Sequence, residues 1–452
     1  MLIEHQKGEN IMLYAGVGRA DITPGLGTCL FGYRPGVEAK EIHDRIRVSA
    51  VMFRQDDRAL LLISAEIALI ENNLDRRLRR LCGDICGIEP WQVVISCTHT
   101  HSAPNLSGMS DGWGDLDREY CENIFVPALC SAVEQAAAAC VPVSMGVGET
   151  ESRVGVNRRQ MLPSSRIVFG QNPWGMYDPR MTVLSFVNSK TGEQVVNIVH
   201  YGCHGTSAGC NHEVTRDWSG AMLDALEQRY GGMAMFVNGA EGDVGPRISN
   251  GLTVGDISYV EELGAVAAAD GLRARAAVES HLENAKLKLL CDGISLDFRP
   301  LESREVLQDK MDKFLTRFPD PDSLENIERM EYCHLARMLR MHDNGTPPAE
   351  KWEYPQTVAS IGDIAIVPFP FEMFSAIAMR LDNYSPYRRT LCLSNSNGSN
   401  VYLPCREDIC RGGYEVATFR FGNGQGLSDD SDTRIIQQDL ALVQKLYGQT
   451  VE

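Results

Sequence analysis

Aliphatic runs of strand length alternate with stretches of helical period along most of the chain, and that alternation restricts the fold to an α/β architecture. Ile46 to Phe53 and Leu60 to Ala65 are two such runs; the polar turn Gln55-Asp56-Asp57 between them makes a hairpin. A second hairpin is expected from Met181 to Val187 and Gln194 to His200 around Asn188-Ser189-Lys190-Thr191-Gly192. A third, Thr357 to Ile361 with Asp363 to Val367, turns at Gly362. Antiparallel pairs are therefore mixed in, and the expected architecture is layered mixed β-sheets flanked by helices.

Further strands are expected at Gln92 to Cys97, Val143 to Val147 and Met233 to Asn238. Helical patterns cover Asn73 to Cys82, Arg118 to Ala139, Asp217 to Tyr230, Pro370-Phe371-Glu372 through Leu381, and Asp432 to Tyr447. Leu301 to Met341 is charged and helical in pattern, which reads as a helical insertion over about 301–345. No Pro/Ser-rich linker divides the 452 residues, so a single domain over 1–452 is expected.

A formal net charge of -17 opposes nucleic acid and anionic membranes as partners, because both require clustered Lys and Arg. No stretch approaches the roughly 20 apolar residues of a membrane-spanning helix. The start, MLIEHQKGENIMLYAG, lacks the basic, apolar and small-residue segments of a signal peptide, so a cytoplasmic location is expected. There the 14 cysteines would be reduced and mostly buried; Cys82/Cys86, Cys203/Cys210 and Cys405/Cys410 do not form paired C-x-x-C knuckles.

Chemistry concentrates where strands end. His99-Thr100-His101 follows an apolar strand, and a period of two would put both imidazoles on one face, as a metal platform or as packing. His200 and His204 repeat the arrangement; His200 reads as a core or supporting residue, while His204, between Gly202 and Gly205, can bend toward an ion. Glu372 is either a carboxylate ligand or an ordinary acid in a first helical turn. Gly242-Asp243-Val244-Gly245-Pro246-Arg247 reads as a ligand-presenting loop or a surface turn. Asn157-Arg158-Arg159 supplies a guanidinium fork or solvated charge. His5, His43, His212, His281, His334 and His342 have no comparable context.

In order, these segments resemble the catalytic domain of the neutral, non-lysosomal ceramidase family. The markers are Ala15-Gly16-Val17-Gly18-Arg19-Ala20-Asp21-Ile22-Thr23-Pro24, Ile42-His43-Asp44-Arg45, Thr98-His99-Thr100-His101-Ser102-Ala103-Pro104, His204-Gly205-Thr206-Ser207, Gly242-Asp243-Val244, Pro370-Phe371-Glu372 and Gly413-Tyr414-Glu415. The resemblance implies a hydrolase with zinc held by His99, His204, Glu372 and Tyr402, the last standing twelve residues before Tyr414. It also implies that His101, Arg158 and Tyr414 bind or polarise the scissile carbonyl, with His101 the candidate general acid, and that Asp243 and Gly245 lie beside the substrate.

Three departures bear on the substrate. Gly245-Pro246 stands where ceramidases usually carry Ser-Pro, and neither the immunoglobulin-like domain that follows in typical ceramidases nor an export signal is expected here. The expectation is therefore a zinc hydrolase of an amide, or an ester, in a small soluble substrate. A true ceramidase acting on N-acylsphingosine, a carbohydrate-active relative and a non-catalytic zinc-binding relative are the alternatives.

Overall fold

The computed structural model describes residues 12–108, 114–324, 326–422 and 424–449. The segment 1–11, which carries most of the signal-peptide reading and also His5, lies outside the described residues. Among the described residues eight strands form a large mixed sheet in the order Met233–Asn238, Gln194–Tyr201, Arg180–Asn188, Val141–Glu151, Leu13–Asp21, Arg47–Gln55, Arg58–Ala65, Val93–Cys97. The outermost pair at each end is parallel and the inner pairs are antiparallel. Leu287–Asp297, Lys351–Ile361, Ile364–Pro368 and Arg389–Leu393 form a smaller sheet, its last pair parallel.

The two sheets pack face to face. Val51, Phe53, Leu60 and Leu62 point from the large sheet onto Leu287, Ala359, Ile364 and Ile366 of the small one. Their sequence neighbours Ala50, Met52, Leu61 and Ile63 point the other way, onto helices Asn72–Cys86 and Val126–Ala138. Both faces are covered, so these strands read as continuous apolar runs, each buried aliphatic or aromatic side chain contributing about 1.5–3 kcal/mol. On its outer face the small sheet carries Ser375–Tyr384 and Ser431–Tyr447; Trp218–Tyr230 and Ser258–Ala276 cover the rest of the large sheet.

All three expected hairpins form. Two helices differ from expectation for local reasons. Asn72–Cys86 runs past Cys82 until Gly87, at φ 66, closes it in the left-handed conformation. Within Arg118–Ala138 the turn Cys121–Phe125 is a π-turn, and the Val126 N–H reaches back to the Cys121 carbonyl just before Pro127, which has no N–H to offer. The expected insertion is a pair of helices, Arg304–Arg317 and Asn326–Asp343, closing on its own core of Leu307, Met311, Phe314, Leu335 and Met338. No helix among the described residues is long and apolar enough to cross a membrane.

Candidate metal centre

The large sheet curls until its ends meet. Ser64 Oγ donates to the Phe236 carbonyl at 2.5 Å, and Asn238 Nδ2 donates to the Thr98 carbonyl at 3.1 Å. The segment after Arg389–Leu393 wedges into this seam: Ser394 N–H donates to Asn238, Asn395 N–H to Phe371, and Cys97 N–H to Asn395. The carboxyl ends of Val93–Cys97, Gln194–Tyr201, Met233–Asn238, Ile364–Pro368 and Arg389–Leu393 therefore open onto one place, where sites in sheet-based α/β folds commonly gather.

His99 arrives there by a different backbone than the alternation of a strand suggests. Its φ is 67, in the left-handed region, so His99 and His101 do not share the face of an extended strand. The kink still brings their Nε2 atoms to 3.3 Å. His99 Nδ1 lies 3.0 Å from the Ala68 carbonyl, and His204 Nδ1 lies 2.9 Å from Glu241 O and 3.0 Å from Val244 O. Carbonyls only accept, so each Nδ1 carries the proton and each Nε2 offers a lone pair, the orientation a metal-binding imidazole requires. His204 is also held by the Trp218 indole N–H on its carbonyl at 2.9 Å.

Both Nε2 atoms face Glu372 Oε2, at 3.3 Å from His99 and 3.0 Å from His204. The Tyr402 hydroxyl lies 3.2 Å from His204 Nε2. Glu372 is not in a helical first turn: it forms a two-residue strand, Glu372–Met373, parallel to Tyr402–Leu403, and the helix starts at Ser375. His99, Glu241 and Glu372 could hold an ion between them, as could the overlapping group His99, His101 and His204. This donor set of imidazole lone pairs, buried carboxylate and phenol fits a zinc-sized ion.

Electrostatics follow from burial. Burial alone would lower the His99 imidazole, but the Glu372 carboxylate outweighs it and raises the pKa. Burial would raise Glu372; His99 and His204 hold it well below the carboxylate range. His204 is pushed down to about 3 by burial and then by Arg158, and His101 falls well below the ordinary value through burial and the imidazoles beside it. His101, the expected general acid, has Nδ1 buried and without a hydrogen bond and its ring edge-on to Tyr33 at 5.2 Å. Gly32 admits that ring: a Cβ at 32 would stand 2.4 Å from His101 Nδ1.

Arg158 and Arg159 are buried, not solvated charge. Glu415 binds both, Oε1 accepting from Arg158 Nε at 2.9 Å and Oε2 from Arg159 Nη1 at 2.6 Å. Arg158 Nη2 also donates to the Tyr402 hydroxyl at 2.9 Å, and the guanidinium lies over the Phe169 ring. Burial raises the pKa of both Tyr402 and Tyr414. Above these groups lies a cavity of about 440 Å³ lined by His101, Arg158, Arg166, Tyr402, Tyr414 and Glu415, with Tyr33, Ile167, Val168, Phe169, Val254 and Ile327 as apolar walls. Ile327 comes from the helix Asn326–Asp343.

Asp243 and Gly245, expected beside the substrate, are placed outside the cavity lining. Asp243 does not face this cavity: its carboxylate accepts from the Ser375 N–H at 2.7 Å, from Ser375 Oγ and from Asn157 Nδ2, tying a helix start to the neighbouring loop. Gly245 sits in a strand opposite Val156, and a Cβ there would meet the Thr253 Cβ at 2.7 Å. Neither residue lines the cavity. His200, set apart, lies 3.0 Å from the Cys392 carbonyl and plays the supporting part read from sequence.

These features define a layered α/β protein with a histidine-carboxylate cluster under an apolar cavity. The family model described as neutral/alkaline non-lysosomal ceramidase, N-terminal, matches residues 13–262, more than half of the chain, and the chain belongs to that family. It is thereby a hydrolase, of the kind that acts on amide bonds. His99, His101, Arg158 and His204 fall in the matched stretch; Glu372, Tyr402 and Tyr414 fall beyond it. The chain is similar in fold to the neutral ceramidase from Pseudomonas aeruginosa, with TM-score 0.71 and 20% identity over 98% of this chain and 76% of that one. It is similarly related to a structure described as a ceramidase complexed with C2, with TM-score 0.70 and 20% identity over 98% and 77% of the two chains. Curated proteins gave no match.

Proposed function

We propose that the protein is a zinc-dependent amidohydrolase acting on a small N-acyl substrate. The observation that carries the reading is the convergence of His99 Nε2, His204 Nε2, Glu372 Oε2 and the Tyr402 hydroxyl beneath the cavity. Zinc bound by these four would supply a Lewis acid and lower the pKa of water to about 7. Tyr414, a protonated phenol in the cavity wall, is available to donate to the oxyanion that develops on the scissile carbonyl. Arg158 holds the Tyr402 oxygen in place, with Glu415 fixing the guanidinium. Neutral His101 can take a proton from the attacking water and return it to the departing amine.

A compact N-acyl amide fits within the cavity of about 440 Å³, which opens to solvent on one side. The second reading, hydrolysis of N-acylsphingosine, is favoured by the apolar walls and by the ceramidases among the structural neighbours. To separate them, zinc-loaded protein is assayed on N-acyl amides of increasing acyl and amine length. The proposal expects the rate to fall as both chains lengthen, and the ceramidase reading expects a rise. Undiminished activity in His99→Ala would refute the metal mechanism under either reading.

A further inference from the structure

The turn after Met233–Asn238 carries two acids. Asp243 is spent on Ser375 and Asn157, but Glu241 is not spent. It is fully buried, at 0% exposure, with Oε1 accepting from Asn395 Nδ2 at 2.6 Å, the Ser394 hydroxyl beside the carboxylate, and Oε2 making no hydrogen bond of good geometry. Left charged with no cation beside it, such an oxygen would cost several kcal/mol, so the group takes up either a proton or an ion. Glu241 offers an oxygen within 4.8 Å of the ligand atoms of both His99 and Glu372.

We infer that Glu241 is a further ligand of the ion at this site, an inference that rests on the metal reading above. The main chain already ties it there, since the Glu241 carbonyl faces His204 Nδ1 and accepts the Val244 N–H at 2.7 Å. Two carboxylates, Glu241 and Glu372, then meet the same dication, which neutralises both. The two overlapping donor groups share His99, whose Nδ1 is occupied by Ala68 and whose Nε2 is its one free donor. They therefore describe one ion with an added oxygen ligand, not two ions. Glu241 is absent from the cavity lining and His101 is part of it, so the added ligand leaves the substrate side open. A second carboxylate also suits oxygen-preferring ions such as Mn²⁺ better than two imidazoles and one carboxylate would.

The test uses the full chain, stripped of metal with chelator and titrated calorimetrically with Zn²⁺ and Mn²⁺, for wild type and Glu241→Gln. Glutamine keeps the acceptor for Asn395, and Glu241→Met serves as a second neutral variant. Expected are binding of one ion by the wild type, a loss of about tenfold or more in Zn²⁺ affinity in the variants, and a larger loss for Mn²⁺. The metal-free variants should melt no lower than metal-free wild type, while the rise in Tm on adding Zn²⁺ shrinks. Equal affinities in a folded variant overturn the role of Glu241 and leave the four-ligand reading standing. Equal losses of Tm with and without metal also overturn it, by marking a structural carboxylate. Wild type that takes up neither metal overturns this inference and the zinc reading together.

Discussion

Glu372 and Tyr402 stand opposite each other in register across a two-residue parallel ladder, with Met373 opposite Leu403 beside them. Two candidate ligands thirty residues apart are thus fixed relative to one another by main-chain hydrogen bonds, continued by the Phe374 N–H on the Leu403 carbonyl at 3.0 Å. Because the ladder needs no side chain, Glu372→Gln should fold with little change in Tm. It should lose metal affinity by more than the roughly 10- to 100-fold that removal of an outer partner costs, and hydrolysis with it. Metal analysis of the purified variant checks this, and a full complement of bound zinc would contradict the assignment.

That ladder also shows where the sequence could and could not be read. Long apolar runs and turn residues announce the hairpins, and the histidines sit at visible strand exits, because burial on both faces leaves a strong local pattern. The last approach to the site is set by residues with no periodic signal. His99 is at φ 67, Asn395 at φ 49 and Asn397 at φ 60, three left-handed kinks stabilised by contacts distant in sequence. Asn397 Oδ1 accepts from the Ile95 N–H, and Asn395 N–H donates to Phe371. Glu372 read as a helix start for the same reason: its partner strand is two residues long and thirty residues away. Glu241 carries no signal in local sequence, since only the packed structure shows that Asp243 is hydrogen-bonded through both oxygens.

Tyr414 separates transition-state stabilisation from metal binding. It lies in the cavity wall, its ring 5.8 Å from that of Tyr402, and burial keeps its hydroxyl protonated. Tyr414→Phe should lower kcat by about 10²–10³ with little change in KM or zinc content, the effect of losing one oxyanion donor. A rise in KM at unchanged kcat would assign the hydroxyl to ground-state binding instead.

Glu415 is the counter-charge for two buried guanidiniums; its loss leaves Arg158 without an ion-paired carboxylate and Arg159 with Asp408 alone, at 3.9 Å. Glu415→Gln preserves volume but removes the charge, so it should cost about 3–5 kcal/mol in urea unfolding. Zinc affinity should fall as well, because Arg158 positions the Tyr402 oxygen. Unchanged stability would mean that water or a rearranged neighbour satisfies both arginines.

Asp439 gives the protein a pH dependence separate from the metal centre. It is buried in the helix Ser431–Tyr447, where Oδ1 accepts from Gln356 Nε2 at 2.7 Å and Oδ2 has no partner. Burial raises its pKa to about 7 against a smaller opposing effect of the Gln356 hydrogen bond. A carboxyl raised in the folded state binds more protons folded than unfolded, so its contribution is full below the unfolded value near 4 and is lost as pH rises toward 7. Glu66 and Asp75, also raised to about 7, push in the same direction, so the informative quantity is the difference between wild type and Asp439→Asn. Asparagine keeps the acceptor for Gln356 and never ionises. At pH 8 the variant should be more stable than wild type by on the order of 3 kcal/mol, and the gap should close as pH falls from 7 to 4. Urea midpoints measured across that range check the sign; a gap that does not vary with pH would show that Asp439 keeps its charge in the fold.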